Sequence, residues 1–505
     1  MSKVNYDSDF CGSLPLHHIN LIQPYGYLMV LDKKDFTLIQ ASENIDEVLG
    51  HTVQNALGTS LSDYIKVEQA EVLRQKFSLA LRDKIPLSFT FNINDLPEEF
   101  NALVHSKQDY LIVELEKAQV KNSFIDIFQE LKFVMAEINL ADTIEEVSNI
   151  ALSALKKFAG FDRVLMYRFD EAWNGTVIAE LLEKEADPYL GLKFPASDIP
   201  KQARALYQKN PYRLIPSRDY SPVRLFPVIN PATHSFIDLS DCNLRSVAAV
   251  HLEYMKNMDI QASMSIRVLR NDKLWGLISC HNRQPKYLNY EMCSIFELLS
   301  QIISSRINSI ESKQEYLQKS NSLDKRAGIL DRIYAKGVLP EGIEASADQL
   351  LDLFSANGVS IAFDGRIFSF GKCPEIDDIQ ELVFWLETKN VDTVISEDNL
   401  VSSFESALAY VGIASGLLVI PIGSKLGNFI MLFRPEVQST VNWGGNPDDA
   451  IKFETDGKKY HPRNSFKIWN ETVKQTSLKW QKEELEIAES LRSSIFEYST
   501  RKAYN

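Results

Sequence analysis

Short apolar runs broken by turn residues recur in three stretches of the chain, with helical patterns between them. In the first stretch, Gly26-Tyr27-Leu28-Met29-Val30-Leu31 and Phe36-Thr37-Leu38-Ile39 read as strands of an antiparallel sheet. Helices are predicted near residues 44–49 and 68–82, giving an α+β unit that ends near residue 117. Residues 121–159 are helical by pattern, with Phe124, Ile127, Leu131, Val134 and Ile138 spaced by three or four. In a second α+β unit, residues 162–169 and 175–182 predict a hairpin around Trp173-Asn174-Gly175. Residues 261–269 and 273–280 predict another, turned at Asn271-Asp272. Between the hairpins, residues 187–245 are rich in Pro, Arg and Asp and predict a long irregular excursion. Loops this long inside a compact domain are usually functional. Residues 288–335 are the longest helical candidate, and a third α+β unit covers about 340–435. A segment rich in Gly, Asp, Lys and Trp follows over 438–469. A final helix is predicted over about 470–499, where Ala488, Leu491, Ile495 and Tyr498 resemble a coiled-coil seam. The fold class is α+β, with three consecutive domains joined by long helices.

Composition narrows the function. A chain of 505 residues exceeds one hydrophobic core, and a formal net charge of −14 disfavours nucleic acid as the main partner. The five cysteines, Cys11, Cys242, Cys280, Cys293 and Cys373, lack the spacing of a disulfide framework or a zinc site. No apolar run reaches the roughly 18 residues of a membrane span, and the first ten residues lack the apolar core of a signal peptide. The expectation is a cytoplasmic protein with no membrane partner and no metal. His17-His18 are read as structural.

The excursion and second hairpin hold the candidate chemistry. Phe194-Pro195-Ala196-Ser197-Asp198-Ile199-Pro200 is followed by Tyr207, Arg213, Arg245, His251, Tyr254, Ser263, Ser265 and His281. Arginine forks, hydroxyls, histidines and aromatics in one domain suit a flat conjugated ligand with carboxylate arms. The alternative is an ordinary surface loop with core histidines, and residue types alone leave the two open.

Longer strings favour the ligand. Residues 194–200, the string Leu244-Arg245-Ser246-Val247 with His251, Glu253-Tyr254-Met255 and Asn257-Met258, and residues 274–281 resemble the chromophore-binding GAF domain of phytochromes. Cys11 ahead of Ile22-Gln23-Pro24-Tyr25-Gly26 is similar to the PAS region of bacterial phytochromes. Trp443-Gly444-Gly445-Asn446-Pro447 and Pro462-Arg463-Asn464-Ser465-Phe466, with Trp469 and Glu471, resemble the tongue of the PHY domain. The likeness covers nearly the whole chain, in order. It implies a PAS domain over 1–120, a GAF domain over 121–310, and a PHY domain over 311–485 with its tongue at about 438–475. A linker helix over 486–505 would lead to a missing output domain. It also implies an N-terminal segment threaded through a GAF loop as a knot.

The resemblance assigns roles. Cys11 would form a thioether with biliverdin. Relatives that use a more reduced bilin attach it to a Cys just before the GAF His, where this chain has Val250. Asp198, otherwise readable as a helix cap, would meet Arg463 in the dark state and Ser465 in the far-red state. His251 and His281 would tune the pyrrole protons and hold the ring D carbonyl. Arg213 and Arg245, with Tyr207, Ser263 and Ser265, would hold the propionates. Tyr167, Phe194 and Tyr254 would wall ring D, with Ile199 beside them. The chain departs from the family at Tyr25 (usually His), Ala248-Ala249 (usually Ser-Pro), Asp259 (usually Gly) and Asn282 (usually His). Ala248 is expected to remove one hydroxyl contact to a propionate.

The leading reading is a red/far-red photoreceptor and not an enzyme, with no catalytic residues. It would be a homodimer through its long helices, signalling to an effector outside this chain, such as a histidine kinase or diguanylate cyclase. The competing readings are a PAS/GAF small-ligand or redox sensor without bilin, and an enzyme either acting on a tetrapyrrole or using Cys11 as nucleophile. Against the enzyme, no His/Asp partner is visible near Cys11 and no P-loop, HExxH or GxSxG motif occurs.

Overall fold

The computed structural model describes residues 17–78, 84–118, 124–183, 187–422, 427–447, 451–453 and 460–504. They form two compact units, one of residues 1–310 with 442–469, the other of residues 311–441 with 470–505.

The first unit holds two large sheets and a two-stranded one, Ile451–Phe453 with Tyr460–Pro462. One is seven-stranded, in the order Leu21–Ile22, Val223–Phe226, Leu38–Ser42, Tyr27–Asp32, Tyr110–Lys117, Leu96–Ser106 and Lys84–Ile93. One face packs on a core including Leu31, Phe89, Phe100 and Val113. The other face buries Leu28, Val30 and Ile112 against Ile237, Leu239 and Leu244 of the excursion.

That excursion clasps the N-terminal segment on both edges. Leu225 N–H donates to Asn20 on one side; on the other, Leu239, Ser246 and Gln23 N–H groups bond His17, Leu21 and Leu244 carbonyls. The expected knot needs such a clasp. Residues ahead of His17, Cys11 among them, lie outside the described residues.

The first six of the second sheet's eight strands run Tyr212–Ile215, Ala262–Arg270, Lys273–Asn282, Arg163–Phe169, Gly175–Leu182 and Lys193–Phe194. Both predicted hairpins form. Asn271 and Asp272 have φ of 48° and 59°, as a two-residue type I′ turn requires. The pattern over 121–159 divides into Phe124–Leu140 and Ile144–Ala159, the second started by a Thr143–Glu146 capping box. These helices and the long helix Tyr290–Lys336 cover one face of the sheet.

The second unit carries a five-stranded sheet, Arg366–Gly371, Gly358–Phe363, Phe429–Arg434, Gly416–Pro421 and Ile395–Glu397. The final helix differs from expectation: residues 468–473 are strand, and the helix is Lys482–Tyr504. Its seam residues Ala488, Leu491 and Ile495 are buried in the unit's own core, with Tyr498 packed against it. A heptad-like spacing marks an apolar stripe without saying what covers it.

Candidate functional site

The site is built where a strand ends. Lys193–Phe194 pairs with Gly175 and Thr176, Pro195 turns the chain, and a 3₁₀ turn carries Ala196–Asp198. Pro200 then caps the helix Lys201–Lys209 with φ −64°, so the side chain of Asp198 is free of any capping duty. Arg204 staples this turn by donating to Ile199 O at 2.7 Å and Ala196 O at 3.3 Å, with its guanidinium 4.7 Å from the Trp173 ring. The sequence reading missed this staple, though an Arg six residues after the Ser-Asp pair was visible.

The helix Ala249–Asn257 supplies a second wall. One turn apart on it, His251 and Tyr254 stack with centroids 6.0 Å apart and planes 8° apart. Tyr167, Phe194, Asp198, Ile199, Tyr207, Arg213, Arg245, His251, Tyr254, Ser263, Ser265 and His281 all line one cavity. They come from both hairpins, the excursion and this helix. Val250 also lines it, and among the described residues no cysteine lines it. Also lining it, and not foreseen, are Ser197, Gln202, Ser279, Met255 and Met258.

Arg213 and Arg245 bring two cations to the cavity, against the single carboxylate of Asp198. Burial and the neighbouring Arg213 push the Arg245 guanidinium down to about 9. Arg213 donates to Asn243 O at 2.9 Å and to Arg245 O. Burial, then Arg213, lowers His251 to about 4; burial, with Arg163 and His251, lowers His281 to about 3. Both imidazoles are therefore neutral at pH 7. Burial also raises the Tyr207 phenol, against a hydrogen bond from Ser265. His281 Nδ1, Ser197 Oγ and both amide atoms of Gln202 are buried with no hydrogen-bond partner among the described residues. Unmet buried polar atoms cost about 1–3 kcal/mol each. Two cations, neutral imidazoles and such atoms fit a flat ligand with carboxylate arms and ring heteroatoms, as a bilin is.

Asp198 closes the cavity. Tyr254 OH donates to its Oδ2 at 2.8 Å, and Arg463 Nη2 pairs with the same oxygen. Arg463 also donates to Gly444 O, and its guanidinium lies 5.3 Å from the Phe194 ring and 4.6 Å from Phe466. Burial pushes the Asp198 carboxyl up against the pull of Arg463 and Tyr254. Burial opposes the charge of Arg463 too, but Asp198 and Tyr254 together outweigh it and raise the guanidinium pKa. The segment carrying Arg463 is in strand form: Trp443 pairs with Lys193, and Ile451–Phe453 pairs with Tyr460–Pro462. His461 Nδ1 meets Glu253 at 2.9 Å, and Asn257 donates to Arg463 O at 3.2 Å. Ser465 is exposed, its Oγ 3.5 Å from Lys467 N.

The departures have local explanations. Ala248 lines the cavity, as a propionate contact requires, and it is also the N-cap of Ala249–Asn257 with no side-chain cap. Asp259 holds φ 56° just after that helix, a conformation that favours glycine. Tyr25 OH donates to Asn243 O at 3.3 Å. Asn282 Oδ1 accepts Asp162 N–H at 3.2 Å and Nδ2 donates to Gln284 O at 3.0 Å, closing the end of the hairpin. His105, Glu114 and Cys242 bring ligand atoms within 4.8 Å of one another. Both Glu114 oxygens already accept hydrogen bonds, from His105 and Leu244, and burial pushes the Cys242 thiol up. That cluster is a hydrogen-bonded anchor.

Comparison with known proteins agrees along the whole chain. A PAS-fold model matches residues 11–118, a GAF-domain model 143–307 and a phytochrome-region model 324–503. The chain is 37% identical to cyanobacterial phytochrome B of Nostoc sp., over 98% of this chain and 67% of that protein. It is 30% identical to a bacteriophytochrome of Xanthomonas campestris pv. campestris, over 97% of this chain and 78% of that one. Among solved structures, the Stigmatella aurantiaca phytochrome photosensory core module aligns with TM-score 0.83 and 36% identity, covering 98% of this chain and 99% of that one. This chain thus spans about two thirds of the cyanobacterial relatives' length, 65–67%.

Proposed function

The chain belongs to the phytochrome family, and we propose that it is a red/far-red photoreceptor that binds biliverdin through Cys11 and signals through its tongue. The convergence of both arginines, both histidines and Asp198 on one cavity, with Arg463 latched to Asp198, carries this reading. A bilin supplies the light absorption and the bond that isomerises at ring D. Arg213 and Arg245, with Tyr207, Ser263 and Ser265, hold its carboxylates. His251 and His281, neutral at pH 7, accept or donate one hydrogen bond each at ring heteroatoms. Tyr167, Phe194 and Tyr254 exclude water beside Ile199. Val250 cannot form a thioether, which favours Cys11 and hence biliverdin.

Asp198 is the switch point. Its carboxylate has two claimants, Arg463 in the strand form of the tongue and Ser465 in the alternative. A change in the cavity that moves Tyr254 alters their balance. The domains of this reading are PAS 1–120, GAF 121–310 and PHY 311–485, with the helix over 486–505 leading to an effector such as a histidine kinase or diguanylate cyclase. Exposed Phe133, Leu140, Tyr316 and Leu317 on the long helices favour a homodimer. No helix among the described residues is long and apolar enough to cross a membrane; a cytoplasmic location is part of the proposal.

The test is an absorption spectrum of the protein mixed with biliverdin, before and after red light, then a zinc-stained denaturing gel. A red band converting to a far-red one, with zinc fluorescence lost in Cys11→Ala, is the expected result. No bound pigment overturns the reading in favour of a PAS/GAF small-ligand sensor.

A further inference from the structure

The cavity arginine is held from outside its own sheet. Glu114, 4% exposed on the strand Tyr110–Lys117 of the first sheet, accepts His105 Nε2 at 2.6 Å. Its other oxygen accepts Leu244 N–H at 2.6 Å, and Asn243 N–H also bonds the carboxylate. The carbonyl of Asn243 accepts Arg213 Nη1 at 2.9 Å, and Arg245 O accepts Nη2. The N–H of Leu244 and the C=O of Asn243 belong to one peptide unit. That unit is planar and trans, so its N–H and C=O point in opposite directions. Fixing the N–H on Glu114 therefore fixes where the C=O points, which is at the guanidinium. Gln23 stitches the same place, its N–H on Leu244 O at 2.7 Å and its amide on Leu214 O at 3.1 Å, beside Arg213.

We propose that Glu114 is a positioning residue for Arg213. From the first sheet it locks the 243–244 peptide plane, and so aims the arginine fork across the cavity of the second. This rests on the reading of that cavity as a bilin site. The carboxylate touches no ligand; it acts through one rigid peptide.

The test is a double-mutant cycle on the full chain, read as biliverdin affinity by absorbance titration and as the position of the red band. Glu114→Leu is expected to weaken binding by about 3- to 100-fold, the range of coupling inside one network. In an Arg213→Met background the same substitution is expected to weaken it less than about twofold, because the group it aims is gone. Should Glu114→Leu not fold, Glu114→Gln, which keeps the volume and one acceptor oxygen, goes through the same cycle with the same two outcomes. An equal penalty in both backgrounds overturns the inference. Wild-type protein that takes up no biliverdin overturns the photoreceptor reading instead.

Discussion

Replacing Arg463 by alanine separates a latched tongue from a loosely lying one. Arg463 is 2% exposed and the Asp198 side chain 7%, so the pair is desolvated on both sides. Removing one partner of a buried pair costs about 3–5 kcal/mol, because the other charge stays behind unpaired. Asp198 can escape part of this penalty by taking up a proton, and burial already pushes its carboxyl up. The lower end, about 3 kcal/mol, is the expectation, which is on the order of 100-fold in the docking equilibrium of the tongue. Amide hydrogen exchange across 460–469, in protein kept in the dark, reads that equilibrium directly if exchange proceeds through local opening. Arg463→Ala should speed exchange there by about two orders of magnitude and leave the strand Gly358–Phe363 unchanged. Adding Asp198→Asn should restore part of the protection by removing the orphaned charge. Exchange in Arg463→Ala within about threefold of wild type would refute the latch.

Three more outcomes follow from local geometry. Ala248→Ser adds the missing N-cap to Ala249–Asn257 and should stabilise the protein by about 1 kcal/mol, read as a higher urea midpoint; an unmoved midpoint counts against the cap. Asp259→Gly relieves a residue at φ 56° and should stabilise by up to about 1 kcal/mol, read the same way; destabilisation would show that Asp259 gains more from its side chain than its backbone loses. Glu116 is pushed up to about 8 by burial, against a hydrogen bond from Tyr287, so it is folded in its neutral form. An unfolded chain releases that proton above about pH 4.5, so this group's contribution is full below 4.5 and is lost as pH rises to about 8. Glu116→Gln should therefore gain stability over wild type from pH 5 to pH 8, and equal differences in urea midpoint at both values would contradict the assignment.

Local patterns carried much of this molecule. Asn271-Asp272 announced a type I′ hairpin because two successive residues with positive φ require such side chains. Residues 290–336 announced one long helix because nothing before Gly328 interrupts it, and a single glycine does not break it. Composition disfavoured nucleic acid as the main partner, and the motif strings pointed to the family. Each of those signals is written in neighbours along the chain.

What neighbours could not reveal was decided by contacts distant in sequence. The seam of Ala488, Leu491 and Ile495 looks the same whether it meets a second chain or its own core, since periodicity records only that one face is apolar; the core of its own unit buries it. Asp198 reads as a helix cap from its flanks, and becomes a latch only because Arg463, 265 residues away, is folded onto it. Glu114 alternates along its strand like any polar residue on a sheet. Its meaning comes from a peptide at 243–244 that the excursion lays across the sheet. The sequence by itself therefore determined which elements form and which residue types the cavity can draw on. The tertiary structure alone decided which buried charges face each other, because desolvation and pairing depend on three-dimensional proximity that no local pattern encodes.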